Sequence, residues 1–308
     1  MTRRLDLLDG LVYADAFDCA LTLDEVWRYS RVRIGRDELR RELTEDPVLR
    51  SAIVARDGLY ALADRPDLIR DRPQRMARAR TLQRRGRRVA RLLRHLPFVR
   101  ALALTGSLAA DDARDSADVD LLVIVAPGRL ATAFLLMGPP ASALRQRLFC
   151  PNYYVTDGRL EMAQGDPYVA RELVQARCLA GPTSGLHDSN PWLAEMFPNA
   201  DPGEPGLAPG RVLQTALELP LRGRLGDRLE RIAARVARAR LRSHYAACGA
   251  TVPEDVANAL DAGISLRFHG RHDGSSVVAR YAARRARVAA MLDGSAAGVK
   301  ERPSATSS

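Results

Sequence analysis

Two apolar segments, separated by a short polar connector, constrain the fold of this 308-residue chain more than any other feature. The first reads Leu102-Ala-Leu-Thr-Gly-Ser, and the second begins Asp118-Val119-Asp120 and continues Leu-Leu-Val-Ile-Val. This order predicts a strand over residues 98–105, a Gly-Ser turn, a short helix, and a second strand that begins with two carboxylates. Because side chains alternate along a strand, Asp118 and Asp120 are expected on one face, with Val119 directed into the core.

This pattern has the chemistry of a metal and phosphate site. Two adjacent carboxylates repel each other unless a cation lies between them, and Mg²⁺ takes carboxylate oxygens while keeping positions for phosphate. Gly106 allows a sharp turn and a close approach of the backbone to a ligand. Ser107 is expected at the N-terminus of a helix starting near Leu108, where free N–H groups and the helix dipole favour phosphate. Such a site is suited to moving a nucleotidyl group.

On these residues the chain resembles the polymerase-β-like nucleotidyltransferase superfamily, which carries Gly-Ser, a spacer of similar length and Asp-x-Asp on the next strand. The resemblance implies that Asp118 and Asp120 are catalytic residues that hold Mg²⁺ or Mn²⁺. It implies that Gly106 and Ser107 bind the phosphates of a nucleoside triphosphate substrate. It also implies a third carboxylate on a neighbouring strand.

The third carboxylate is sought downstream of the Asp-x-Asp strand. Residues 152–155 and 160–162 flank Asp157-Gly158, which predicts a hairpin with its turn at that dipeptide. Glu161 has an apolar residue on each side and is the candidate third catalytic and metal-binding carboxylate. Asp157 is explained by the turn, and Asp166 is the weaker alternative.

The N-terminal residues predict three helices followed by a hairpin, which is the winged-helix order. Apolar residues recur at helical spacing over residues 4–20, Thr22 and Glu25 form a capping-box pattern, and residues 36–44 predict a third helix. Asp57-Gly58 marks the hairpin turn. The third helix has mixed charge and carries no Asn, Gln or Lys to read bases. It therefore favours a structural or protein-contact role over sequence-specific DNA binding.

A wider resemblance covers roughly residues 5–200. It is to a family of uncharacterised bacterial proteins that pair an N-terminal winged-helix-like segment with a nucleotidyltransferase domain. It rests on short motifs spread along the chain: Phe17-Asp18, Asp57-Gly58-Leu59-Tyr60, Pro97-Phe98-Val99, Cys150-Pro151-Asn152 and Asn190-Pro191-Trp192.

The expected fold class is α+β: a nucleotidyltransferase mixed sheet with helices, preceded by a winged-helix-like domain and followed by a helical region. The predicted parts follow in chain order: a winged-helix-like domain (1–65), a basic connecting helix (66–97), a nucleotidyltransferase core (98–198), a linker (199–210), a helical region (211–293) and a disordered tail (294–308). The linker assignment rests on proline and glycine content. Gly86 is a predicted weak point of the connecting helix.

The chain's positive charge is concentrated in one segment. Residues 70–94 hold eleven arginines and one acidic residue, an excess equal to the net charge of +10 of the whole chain. Such a helix favours acidic neighbours or a polyanion, so nucleic acid is a possible partner through it. Aromatic residues are only 5% of the chain, which offers no base-stacking groove and makes a small molecule the default acceptor.

Composition narrows the class of protein further. The four cysteines are scattered and indicate neither a disulfide framework nor a zinc site. No N-terminal apolar run resembles a signal peptide, and the most apolar later stretch, residues 130–144, is short and broken by Pro139-Pro140. These observations predict a soluble cytoplasmic protein with no membrane contact. They leave the oligomeric state open.

The leading hypothesis is a Mg²⁺-dependent nucleotidyltransferase that moves a nucleoside monophosphate group to a hydroxyl or amino acceptor. The alternative is a winged-helix regulator that binds nucleic acid or a partner and whose transferase domain only senses nucleotide. A third possibility is a protein-modifying transferase of toxin–antitoxin type. The nucleotide preference and the acceptor cannot be read from any motif.

Overall fold

The computed structural model describes residues 2–137, 149–162, 165–201, 203–247, 251–252, 265–267 and 274–300. Over these residues the protein is an α+β fold with two sheets and helices packed around them. The larger sheet is mixed, as expected for the predicted fold class.

The N-terminal part consists of short helices and a small antiparallel sheet. The helices are α1 (Thr2–Leu7), α2 (Asp9–Asp15), α3 (Leu23–Arg28), α4 (Arg36–Glu45) and α5 (Pro47–Ala52). The strands are β1 (Leu21–Thr22), β2 (Ile53–Arg56) and β3 (Leu59–Leu62), in the order β1-β3-β2. Two local predictions are confirmed. The capping box forms, with Thr22 N–H donating to Glu25 Oε2 at 2.7 Å, and Asp57 and Gly58 turn the β2–β3 hairpin with φ of 54° and 74°.

A single long helix, α6 (Asp67–Leu93), leads from this part to the larger sheet. It continues without interruption through Gly86, where the sequence predicts a weak point. A Cβ on Gly86 would lie 3.2 Å from Val119 Cγ1 and 3.8 Å from Leu104 Cδ1. The glycine therefore brings the helix backbone against the two strands that carry the predicted motifs.

The larger sheet has five strands. They are β4 (Val99–Leu104), β5 (Asp120–Val125), β6 (Cys150–Thr156), β7 (Arg177–Ala180) and β8 (Ser265–Arg267), in the order β7-β4-β5-β6-β8. β5 and β6 are parallel, and the other neighbours are antiparallel. Alternate side chains of β4 belong to different buried clusters: Ala101 and Ala103 to one, Leu102 and Leu104 to the other. Both faces are therefore covered, which explains the continuous apolar runs of β4 and β5.

The remaining helices complete the two layers. They are α7 (Gly106–Ala109), α8 (Leu130–Met137), α9 (Pro167–Gln175), α10 (Gly185–Asp188), α11 (Trp192–Met196), α12 (Arg211–Glu218), a 3₁₀ turn (Leu219–Leu221), α13 (Gly223–Ala247) and α14 (Gly274–Lys300). Helix α14 includes residues 294–300, where the sequence predicts a disordered tail. The rest of that tail, residues 301–308, and the helical prediction for residues 253–264 lie outside the described residues. Among the described helices, none is long and apolar enough to cross a membrane.

Helix α14 packs against the N-terminal helices, about 270 residues earlier in the chain, through an apolar cluster and buried polar contacts. Tyr281 Oη donates to Asp9 Oδ1 at 2.6 Å, and Arg285 pairs with the same carboxylate at 3.0 Å. Arg284 pairs with Asp15 at 2.7 Å. The same buried cluster contains N-terminal residues and one face of the larger sheet, so the N-terminal part, α14 and the sheet share one core.

Two predicted elements differ in the structure because of pairing between distant segments. The hairpin predicted around Asp157-Gly158 lacks its second strand, since β6 pairs with β5 and β8 instead and only a single bridge joins Thr156 to Arg159. The sequence also favours a helix over residues 168–179, but the helix ends at Gln175 and β7 follows as a neighbour of β4.

The segment predicted as a linker, residues 199–210, is partly attached to β7. Leu207 N–H donates to Leu179 O at 2.9 Å, and Gly181 N–H donates to Leu207 O at 2.8 Å. Gly206 lies so close to Leu179 and Ala180 that a Cβ there would be 2.6 Å from Leu179 C. This stretch therefore extends the edge of the sheet.

Candidate functional site

The two aspartates of the Asp-x-Asp motif lie where β5 begins. Asp118 is exposed, Val119 is buried, and Asp120 is partly buried. Cys150 N–H donates to Val119 O at 2.7 Å and holds this residue in extended pairing just before the strand. The alternation predicted from the sequence is therefore present, with Val119 packed against α6 and the two acids on the other side.

Gly106 faces Asp120 across the ends of β4 and β5. Its φ is +66°, and a Cβ at this position would collide with Asp120 Oδ2. Thr105 N–H donates to Asp120 O at 3.1 Å, which brings the end of β4 to the start of β5. Only glycine combines this backbone conformation with this close approach.

We expect Gly106→Ala to destabilise the protein by about 2–4 kcal/mol, because strain at positive φ and a steric collision with Asp120 add together. Gly128 is the matched control: its φ is +65°, and nothing lies within 4 Å of a Cβ there. Gly128→Ala should therefore cost only about 1 kcal/mol. Urea denaturation of both variants measures the difference, and equal losses would refute the close approach of Gly106 to Asp120.

A third carboxylate, missed by the sequence analysis, lies beside Gly106. Glu172 on α9 accepts a hydrogen bond from Gly106 N–H at 3.0 Å through Oε2. Its Oε1 accepts from Gln175 Nε2 at 3.0 Å, and the same amide group donates to Gly106 O at 3.4 Å. A sequence signal did exist: Tyr168, Glu172 and Gln175 form a polar stripe at helical spacing on a helix whose other residues are mostly apolar.

The carboxylates of Asp118, Asp120 and Glu172 interact electrostatically. Burial, the charge of Glu172 and the charge of Asp118 raise the pKa of Asp120 to about 8. Burial together with Asp120 and Asp118 raises the pKa of the Cys150 thiol to about 11. Burial is the larger cause of both shifts and the neighbouring carboxylates add to it, so a cation placed among the carboxylates would offset their repulsion.

Glu161 is separate from this cluster. It is exposed, lines a shallow depression with Met162, Asn190 and Trp192, and is not among the charges that act on Asp120. The physical reason is that Asn190 binds the backbone on either side of it. Asn190 Nδ2 donates to Leu160 O at 2.8 Å, and Asn190 Oδ1 accepts from Met162 N–H at 2.8 Å. These backbone groups would otherwise have formed the second hairpin strand.

The other acids considered in the sequence have local roles. Asp166 caps α9, its Oδ1 accepting from Tyr168 N–H at 2.8 Å. Asp157 lies in the turn after β6, as predicted, and its N–H donates to Val125 O at 2.8 Å.

The turn that carries Ser107 is short and is held in place by hydrogen bonds from α6. Helix α7 has only four residues, and the Ser107 side chain is exposed on it. From α6, Arg72 donates to Asp111 O at 3.0 Å and to Ala110 O at 3.1 Å, and Gln83 Nε2 donates to Leu108 O at 2.6 Å. The short helix expected near Leu108 is therefore a single turn that begins at Gly106 and that α6 holds in place.

The residues fit a hard divalent cation in chemistry. Asp118, Asp120 and Glu172 supply carboxylate oxygens, the ligands that Mg²⁺ prefers. Over the described part of the chain, no three His, Cys, Asp or Glu side chains are already arranged as a metal-binding group. Asp118 acts electrostatically on Asp120, and the Gly106 backbone, followed by the exposed Ser107, lies against Asp120.

Comparison with known proteins adds no relative. No protein-family model, no curated protein and no solved structure matches the chain.

Proposed function

We propose that this protein is a Mg²⁺-dependent nucleotidyltransferase of the polymerase-β-like class. The observation that carries the proposal is the contact of the Gly106 backbone with the carboxylates of Asp120 and Glu172 at the adjoining ends of β4 and β5. The order strand, glycine turn, one-turn helix and strand with paired acids supports it. The N-terminal helices and hairpin support the winged-helix-like part of the same proposal.

In this proposal Asp118 and Asp120 would hold Mg²⁺, which supplies positive charge for the triphosphate when bound. Gly106 N–H and the Ser107 hydroxyl would bind phosphate oxygens. Glu172 takes the place that the sequence analysis assigned to Glu161, because it lies beside Gly106 and acts on Asp120.

The proposed reaction transfers a nucleoside monophosphate group. An acceptor hydroxyl or amino group attacks the α-phosphorus, the bond to pyrophosphate breaks, and the acceptor's proton passes to a carboxylate, for which Glu172 is the candidate. Glu172 accepts the Gly106 N–H in the structure. A phosphate oxygen that takes this N–H would displace Glu172, so binding of the triphosphate would free the proton acceptor.

A transfer assay tests the proposal. The protein is incubated with each α-³²P-labelled nucleoside triphosphate and Mg²⁺ or Mn²⁺, with and without cell extract. The control is the double variant Asp118→Asn/Asp120→Asn. We expect label to reach an acceptor only with the intact carboxylates. Transfer by the double variant at the wild-type rate would refute the assignment. The size of the labelled product separates a metabolite, which is our default acceptor, from a protein or an RNA.

The distribution of charge on α6 favours one alternative, a regulator that binds nucleic acid and only senses nucleotide. In the first half of the helix, Arg72, Arg75 and Arg78 pair with acids of the protein itself. In the second half, five arginines face solvent. They are Arg80, Arg84, Arg87, Arg88 and Arg91.

This outward row is suited to phosphates, whereas α4 exposes both signs of charge. Binding to duplex DNA that weakens steeply with salt, together with no transfer in the labelling assay, would establish the alternative in place of the enzyme.

A further inference from the structure

The C-terminal helices carry an apolar surface that no described part of the protein covers. Val212 is 87% exposed, Leu219 65%, Leu225 58% and Ile232 54%. Single exposed leucines are ordinary, but a concentration of aliphatic side chains on consecutive helices marks an interaction site. The residues that define this surface on α13 are Leu225, Leu229, Ile232 and Val236, here called the α13 seam.

The α13 seam has the spacing of a helix-packing surface. Its residues follow at intervals of four, three and four, which places them in one line along the helix. A second helix can pack along such a line by inserting its own side chains between successive residues.

An adjacent face of α13 is anchored to the protein, so the exposure does not come from a detached helix. Ala233, Ala237 and Leu241 are buried in the cluster that also contains α8. Glu230 accepts hydrogen bonds from Ala131 N–H at 2.7 Å and Thr132 N–H at 3.0 Å, at the start of α8. In the first turn of α13, Gly226 lies so close to Leu221 O that a Cβ would collide with this oxygen. The α13 seam therefore lies on a helix that is held in place by packing and hydrogen bonds.

The charge around the α13 seam is positive. Arg228, Arg235 and Arg242 follow at intervals of seven along one side of it, and all three are exposed. The nearby acids already have partners: the buried Glu218 pairs with Arg100, and the exposed Asp227 pairs with Arg129. The outer face of α13 thus presents an aliphatic line beside a row of guanidinium groups.

The charge and composition of this surface indicate which kind of partner binds to the α13 seam. Two copies packed along this seam would bring arginine rows together, which disfavours self-association. The residues of the α13 seam are all Leu, Ile or Val, without the Trp or Phe that often anchor helices in a bilayer interface. We propose that the α13 seam binds an amphipathic helix of a partner protein, with aliphatic residues at heptad spacing and acidic residues on its flanks.

A designed peptide tests this proposal on the full-length protein. The probe is a fluorescein-labelled helix of four heptads with Leu at the a and d positions and Glu at e and g. The matched control peptide has Lys at e and g. Fluorescence anisotropy should show binding of the Glu peptide, weakened at least tenfold by Ile232→Ser and by Arg228→Glu/Arg235→Glu, and no binding of the Lys peptide.

Further controls separate folding and the rival occupants. Met291→Ser on α14 alters an exposed apolar residue on the other side of the sheet and should leave binding unchanged. Thermal melts should show that Ile232→Ser remains folded, because its side chain is largely exposed. Equal binding of both peptides, or binding of the Glu peptide that survives Ile232→Ser, would overturn the proposal. So would a dimer lost in Ile232→Ser, or seam-dependent binding to phosphatidylserine vesicles without peptide binding.

Discussion

Arg72→Met is expected to lower the free energy of unfolding by about 3–5 kcal/mol, the usual cost of breaking a buried ion pair from one side. The Arg72 side chain is fully buried and pairs with Glu25 at 2.7 Å and Asp112 at 3.3 Å. It also donates to the carbonyl oxygens of Ala110 and Asp111. Methionine fills similar space but leaves these acceptors without their donor, although Asp112 keeps Arg75 at 3.1 Å.

Urea denaturation measures this loss, and Arg70→Met serves as the control. Arg70 is on the same helix, but its side chain is 80% exposed and, within the described part of the chain, forms an ion pair only with its neighbour Asp71. Its replacement should leave the free energy of unfolding close to that of the wild type, because an exposed ion pair contributes little. A loss below about 1 kcal/mol for Arg72→Met would show that the buried network contributes little to stability.

Asp120→Asn is expected to raise the stability of the protein at pH 8 while abolishing the proposed activity. Burial and like charges raise the pKa of Asp120 from 3.8 to about 8. Between roughly pH 4 and pH 8 the folded protein therefore holds a proton that the unfolded chain has lost, so the free energy of unfolding falls as pH rises through this window. Asparagine removes that penalty. The variant should be more stable than the wild type at pH 8 by about 1 kcal/mol or more, and the two should converge near pH 4.

The same substitution should abolish the proposed chemistry. Loss of a metal-binding carboxylate removes several kcal/mol of transition-state stabilisation, which corresponds to about a thousandfold or more in transfer rate. Mg²⁺ should raise the melting temperature of the wild type and not that of Asp120→Asn. Asp118→Asn, at an exposed position, should lose transfer with a smaller effect on stability. An Asp120→Asn protein that is destabilised at pH 8, yet keeps its Mg²⁺ response, would contradict this view of the site.

The sequence predicted elements whose cause is local. The Thr22–Glu25 capping box, the Asp57-Gly58 turn and the apolar runs of β4 and β5 each depend on a few neighbouring residues, and each is present. Gly106 beside Asp120 belongs to the same group, because a glycine turn and a strand joined by a short connector must end close together.

Features that depend on contacts between segments far apart in the chain were not predicted from the sequence. Residues 177–180 form a strand because β4 offers an open edge, and Glu161 lies outside any strand because Asn190 binds the backbone around it. Glu172 reaches Gly106 only through the packing of α9 against the end of the sheet. Each outcome depends on a partner between 28 and about 75 residues away, a relation that periodicity and local motifs do not encode.

The packing of α14 against the N-terminal helices sets an order on folding during synthesis. Asp9 and Asp15 are synthesised some 270 residues before Tyr281, Arg284 and Arg285, the residues of α14 that they contact. Until then the first helices expose the apolar surface that α14 covers, although Arg31 and Arg65 offer nearer partners to the two carboxylates. The nascent chain must therefore persist in an incomplete state, a period in which chaperone binding competes with aggregation, and the final closure is a slow, long-range step.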